Sequence, residues 1–227
     1  MALNLRLTCS TIGAIIGIAG LEHGVGEVLQ GNEAPKGLSI KSWPNSRLYD
    51  IVDGEPAFTI FPSLLLAGII TIMVSILFII WIVFLLESSY KEFNAVILIA
   101  FSVTMLLSGG GVAPPLIGLL VSFFIKKINP NIQEQQKEIQ LDDKIAKMWL
   151  ASYILFIVAF LSLWPGLIIL GLIMKIDDSQ IVIYLVLISL TSLIMALYLS
   201  TLLESEINKD NTLSPNYDRY YQQFQSI

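Results

Sequence analysis

Five long apolar segments set the limits on what this chain can become. Residues 7–29, 61–86, 95–125, 146–173 and 181–203 are each long and uncharged enough to cross a bilayer, which takes ~20 apolar residues in a helix. Of the 227 residues, 55% are hydrophobic and only 14% charged, where soluble domains carry about a quarter. The sequence therefore reads as an all-α, polytopic transmembrane helix bundle of about five spans. It forms a single domain over residues 1–207, followed by a polar tail over 208–227. The lipid bilayer is its first partner, and a prokaryotic-type inner (plasma) membrane its expected location. A net charge of −5 without a basic stripe argues against nucleic acid.

The third segment cannot be one straight helix. Its 31 residues would reach ~46 Å at 1.5 Å per residue, against a hydrocarbon core of ~30 Å. Ser108-Gly-Gly-Gly-Val-Ala-Pro-Pro115 interrupts it, and Gly109, Gly110, Gly111, Pro114 and Pro115 together mark a helix break. Such a break is either a kink or tight turn, or the non-helical backbone on which many transporters bind ions and substrates. If the segment crosses once, five spans place the N-terminus outside and divide Lys and Arg ten inside to three outside. If it is a re-entrant pair of half-helices, four spans place both termini inside, nine to four. Loop charge accepts both, and five crossings is the arrangement expected here.

The first segment carries the unusual chemistry. It holds the chain's only histidine, and Glu22 and Glu27 are the two carboxylates placed inside an apolar segment. An ionisable group at bilayer depth costs about 3 kcal/mol or more, so it raises a functional question by default. At 100° per residue, Gly13, Gly17, Gly20, Gly24 and Gly31 form a small-residue stripe. In lipid, such stripes let helix backbones approach closely, within the fold or in a homo-oligomer. His23, Glu27 and Gln30 share a face beside the stripe, and Glu22 points ~140° away from Glu27. The His23–Glu27 spacing permits a hydrogen bond along the helix. Glu27 and Gln30 fall near the headgroups, with Gln30 helping to end the helix. Glu22 is the deeper and less easily explained carboxylate.

Other features carry less. The polar loop 32–59 contains Trp43-Pro44 and an expected turn at Asp53-Gly54. Residues 129–147 read as a polar helix, Trp164-Pro165-Gly166 as a kink, and Tyr217, Tyr220, Tyr221 and Phe224 as an aromatic stripe in the tail. The first segment is expected to remain as an uncleaved helix. Cys9 is the only cysteine. His23 and Glu27 supply two ligands where zinc needs three or four, and only Asp50, Asp53 or Glu55 could complete a shell, so neither a metal nor a cofactor is expected. No hydrolase, kinase or zinc-protease signature is present, which argues against an enzyme. An acid–base role for His23 and Glu27 would require a substrate between groups of matched pKa.

The strings Gly20-Leu-Glu-His-Gly-Val-Gly-Glu-Val-Leu-Gln-Gly31, Glu55-Pro-Ala-Phe-Thr-Ile60 and Gly109-Gly-Gly-Val-Ala-Pro-Pro-Leu-Ile-Gly118 resemble a group of small polytopic prokaryotic membrane proteins without an assigned activity. The resemblance covers about residues 13–125. It implies a prokaryotic inner-membrane setting and brings no catalytic residues with it.

Two functional expectations follow. The first is a transport or channel-like protein that moves a small solute or ion past Glu22, His23, Glu27 and Gln30, where these meet the broken third segment. The second is a non-catalytic accessory or assembly protein, whose stripe of Gly13, Gly17, Gly20 and Gly24 packs helices or captures a membrane partner.

Overall fold

The first apolar segment folds as one helix, α1 (Leu5–Leu29), in the computed structural model, which describes residues 5–41, 56–85, 90–128, 143–163 and 179–213. No acidic residue of its own lies in the first turn. A distant one takes that role: the Leu5 amide donates to Glu204 Oε2 at 3.3 Å, placing a carboxylate where the helix dipole favours negative charge.

After α1 the chain forms a short antiparallel ribbon of β1 (Ser39–Lys41) and β2 (Pro56–Phe58), with Ile40 opposite Ala57. Ser63 then starts α2 (Leu64–Ile80), its hydroxyl accepting from the Leu66 amide. This helix widens into a π turn over Trp81–Leu85. The Ile82 carbonyl accepts from Ser10 Oγ of α1 at 3.0 Å, so the distortion is tied to the neighbouring helix.

The third apolar segment doubles back on itself. α3 (Lys91–Leu107) and α4 (Ala113–Ile125) are separated by residues 108–112, and Pro114 and Pro115 sit in the first turn of α4, where their missing donors are not needed. Lys126 at the end of α4 reaches Glu92 at the start of α3 at 3.0 Å, so the two helices run antiparallel with their outer ends together. That exposed ion pair reports the geometry and adds little stability. Trp81 anchors the base of the pair through Asn94 Oδ1 at 3.3 Å and a tilted contact with Phe93.

The remaining helices are α5 (Asp143–Leu161) and α6 (Ser179–Leu213). The latter continues six residues into the polar stretch expected to be tail. Trp149 of α5 donates to Thr8 Oγ1 of α1 at 3.1 Å. Leu5, Cys9, Ile12 and Ile16 of α1 lie in the same core as Phe78, Met105, Val121, Phe156 and Leu197. This makes α1 the central element, with 56% of its apolar window buried against 17–39% in the other three long apolar helices.

Leu5–Leu29, Leu64–Leu85, Lys144–Leu161 and Ile183–Ser205 are long and apolar enough to cross a membrane by length and composition. Trp43-Pro44, the turn at Asp53-Gly54, residues 129–142, Trp164-Pro165-Gly166 and the stripe from Tyr217 to Phe224 lie outside the described residues.

Candidate functional site

The two unusual stretches of the sequence meet. The turn between α3 and α4 is buried throughout Ser108–Gly111 and presses on the C-terminal third of α1. Gly109 and Gly111 hold φ of +98° and +74°, a region that side chains with a Cβ enter only at a cost. Both also lie against side chains of α1. A Cβ on Gly111 would collide with the His23 imidazole at Nε2, and one on Gly109 would sit 3.2 Å from Glu27 Cγ. Glycine at these two positions lets the turn close and lets it touch the ionisable groups.

His23 is 3% exposed and Glu27 is 0% exposed. Gln30 Nε2 donates to Glu27 Oε2 at 2.7 Å, so the third member of the predicted face is spent on orienting the second. Glu27 is buried because the hairpin tip covers the end of α1, which the helix's own sequence does not reveal. Glu22 faces elsewhere, as the 100° periodicity required. It is part-buried and lines a cavity of about 60 Å³ with His23, with Pro114 and Ile117 of α4, with Phe160 of α5 and with Leu163 just beyond it.

A second helix completes the site with residues that the sequence reading passed over. Thr71 Oγ1 of α2 lies 2.7 Å from both the carbonyl oxygen and Oγ of Ser108, so it holds the first residue of the break. The ribbon closes the site from the other side. Thr59 bridges Ser108, the Ile60 amide donates to the Leu107 carbonyl at 3.0 Å, and Ile40 reaches the space beside Gly109. One turn beyond Thr71, Ser75 Oγ is fully buried and has no hydrogen-bond partner among the described residues. It lies beside Gly20 and Met105 Sδ.

The glycine stripe has a separate place. Gly13 and Gly17 face Ile82 and Ile79, Gly20 faces Ser75, and Gly24 faces Ile72 and the Gly68 carbonyl, all on α2 or its π turn. Backbone approaches backbone most closely at Gly68, where an added Cβ would stand 2.5 Å from the Gly24 carbonyl oxygen and 2.7 Å from the Val28 amide nitrogen. Gly68 was not singled out in the sequence, though a lone glycine in an otherwise bulky apolar helix is the signal that could have found it. Among the described residues, no three of His, Cys, Asp and Glu cluster as a metal-ion site. Asp50, Asp53 and Glu55 lie outside the described residues.

Compared with protein families, curated proteins and solved structures, the chain shows no match to any. The resemblance drawn from the three sequence strings thus stands as an expectation, and function must be argued from the site.

Proposed function

We propose that the protein is a transport or channel-like membrane protein whose working site is the contact between α1 and the α3–α4 turn. The observation that carries this reading is Glu27, fully buried with His23 beneath a non-helical glycine turn from another part of the chain. Non-helical backbone at membrane depth is tolerated where protein covers it or a cavity borders it. Ionisable groups there mark pathways for ions, protons or solutes. The Ser75 hydroxyl, without a hydrogen-bond partner among the described residues, supports the same reading, since such a group costs about 1–3 kcal/mol in a purely structural role.

In this reading the chain crosses the membrane four times, and α3–α4 is a re-entrant pair entering and leaving on one side. The meeting of Glu92 with Lys126 favours this over five crossings. Both termini then lie on the cytoplasmic side, with nine Lys and Arg inside and four outside. Single cysteines at residues 92 and 126, in a Cys9→Ser background, are expected to label from the same face of sealed vesicles. Labelling from opposite faces would exclude the re-entrant arrangement.

The functional test is flux into vesicles containing the purified protein, followed with a pH-sensitive dye and ion-selective electrodes. Wild-type flux is expected to fall about tenfold or more in Glu27→Gln and His23→Ala, because an ionisable group in the pathway is removed. Equal flux in all three proteins, each still folded, would remove the pathway from this site.

The second reading, an accessory or assembly protein, draws on the glycine stripe. All four of its members inside α1 pack on α2 or its π turn within one chain. A partner or a second copy would therefore have to dock on another face.

A further inference from the structure

Buried hydroxyls extend the site along the bundle beyond the glycine turn. Thr71 and Ser75 lie one helical turn apart on α2, and Thr71 Oγ1 meets Ser108 Oγ at 2.7 Å. Ser75 Oγ comes next, between Gly20 of α1 and Met105 of α3. Three residues before Met105 stands Ser102, at the level of Gly118 on α4. There an added Cβ on Gly118 would lie 2.5 Å from Ser102 Oγ and 3.5 Å from the ring of Phe78, which is three residues on from Ser75. Ser122, one turn further along α4, ends the row near Lys126. All five hydroxyl residues are 0% exposed. We infer that this row is a proton route, leading from Glu27 and His23 through Ser108, Thr71, Ser75 and Ser102 to Ser122. The inference rests on the transport reading and names the proton as what the site carries.

Ser75 is the observation that separates a route from ordinary helix packing. Ser102 and Ser122 donate to carbonyls four residues back, Leu98 and Gly118, at 2.8 and 2.7 Å. Ser75 makes no such bond, although it is fully buried, and its Oγ points into the row without a hydrogen-bond partner among the described residues. A serine that only packed would gain from bonding its own helix, as its two neighbours do. Its O–H is instead available to the row. Levels one turn apart are ~5.4 Å from each other, a gap that one water spans with two hydrogen bonds of ~2.8 Å. Each hydroxyl then accepts a proton on a lone pair and releases its own to the next group, so none changes its net protonation. Glu27 and His23 are the groups that take up and hold the proton. A hydrated ion or an organic solute would have to displace Phe78 and Met105, both 0% exposed, whereas a proton needs only hydrogen-bonding groups within reach.

The test uses the full-length protein in sealed vesicles, with a pH-sensitive dye inside and an imposed membrane potential. Proton flux is expected for the wild type, with sodium and potassium flux at background. Ser75→Ala should lower proton flux about tenfold or more. Its unfolding midpoint should stay equal or rise by about 2–4 °C, because an unsatisfied hydroxyl is removed. Ser102→Ala should lower flux by a similar factor and provides a second break in the row. Thr104→Val removes a hydroxyl of α3 that bonds the Ala100 carbonyl outside the row, and should leave flux unchanged. Wild-type proton flux in either folded serine variant would overturn the route. So would a Ser75→Ala variant that loses flux and stability together, since that is the mark of a structural hydroxyl. Sodium or potassium flux as large as the proton flux would reject the proton as the cargo and leave the transport reading standing. A wild-type protein that moves none of the three would reject both.

Discussion

Gly111→Ala is expected to cost about 2–5 kcal/mol and to lower the unfolding midpoint in detergent by roughly 5–15 °C. Two independent penalties combine. The backbone at φ +74° disfavours any residue with a Cβ, and the new methyl would overlap the His23 imidazole. A double-mutant cycle separates them. His23→Ala removes the overlap and leaves the backbone strain, so the paired variant should be more stable than the sum of the single losses by about 1–3 kcal/mol. Strict additivity would mean that Gly111 and His23 do not touch, and the proposed site would lose its central contact. Because the contact joins α1 to the α3–α4 turn, the same variant should also abolish flux. This holds even though alanine brings no charge and removes none.

The second large effect is expected at Gly68. Gly68→Ala should destabilise the protein by about 3 kcal/mol or more, whereas Gly20→Ala should cost about 1 kcal/mol or less. An added Cβ at Gly68 would stand 2.5 Å from the Gly24 carbonyl oxygen and 2.7 Å from the Val28 nitrogen. Both are backbone atoms, so α1 and α2 would have to move apart. At Gly20 the nearest atoms are Ser75 Oγ at 2.6 Å and Met105 Sδ at 2.7 Å, and the methionine can swing away. Alanine's better helix propensity, worth about 1 kcal/mol, offsets part of the loss in both cases. Thermal unfolding of the two variants side by side checks the order. A Gly20→Ala variant less stable than Gly68→Ala would show that the stripe and not the backbone crossing sets the limit on approach.

The two glycines also show where sequence reading stopped. Gly20 belongs to a repeated pattern on one helix, and such patterns follow from the 100° turn per residue alone. Gly68 has no repeat around it. Its importance comes from the height at which α1 crosses α2, which depends on both helices and on the π turn below. The same distinction separates Glu22 from Glu27. Helical periodicity was enough to point them in different directions. It could not show that Glu27 would be covered by a turn about 80 residues later in the chain. Thr71 and Ser75 were passed over because a hydroxyl in a long apolar run most often bonds its own helix. Thr71 instead reaches Ser108, and Ser75 has no hydrogen-bond partner among the described residues.

What the sequence determined by itself is what can be computed from one segment at a time. Apolar length made long helices necessary, because buried backbone at bilayer depth must bond within its own segment. Three glycines and two prolines made the break at residues 108–115 necessary, and periodicity sorted the first helix into a packing stripe and a polar face. Which surfaces those features would meet was decided only in three dimensions. The α3–α4 fold-back, the seating of Gly111 on His23, the closure of the site by Thr71 and the ribbon, and the Glu204 carboxylate at the start of α1 all join residues far apart in the chain. Each depends on shape complementarity between whole elements, and no local pattern encodes that.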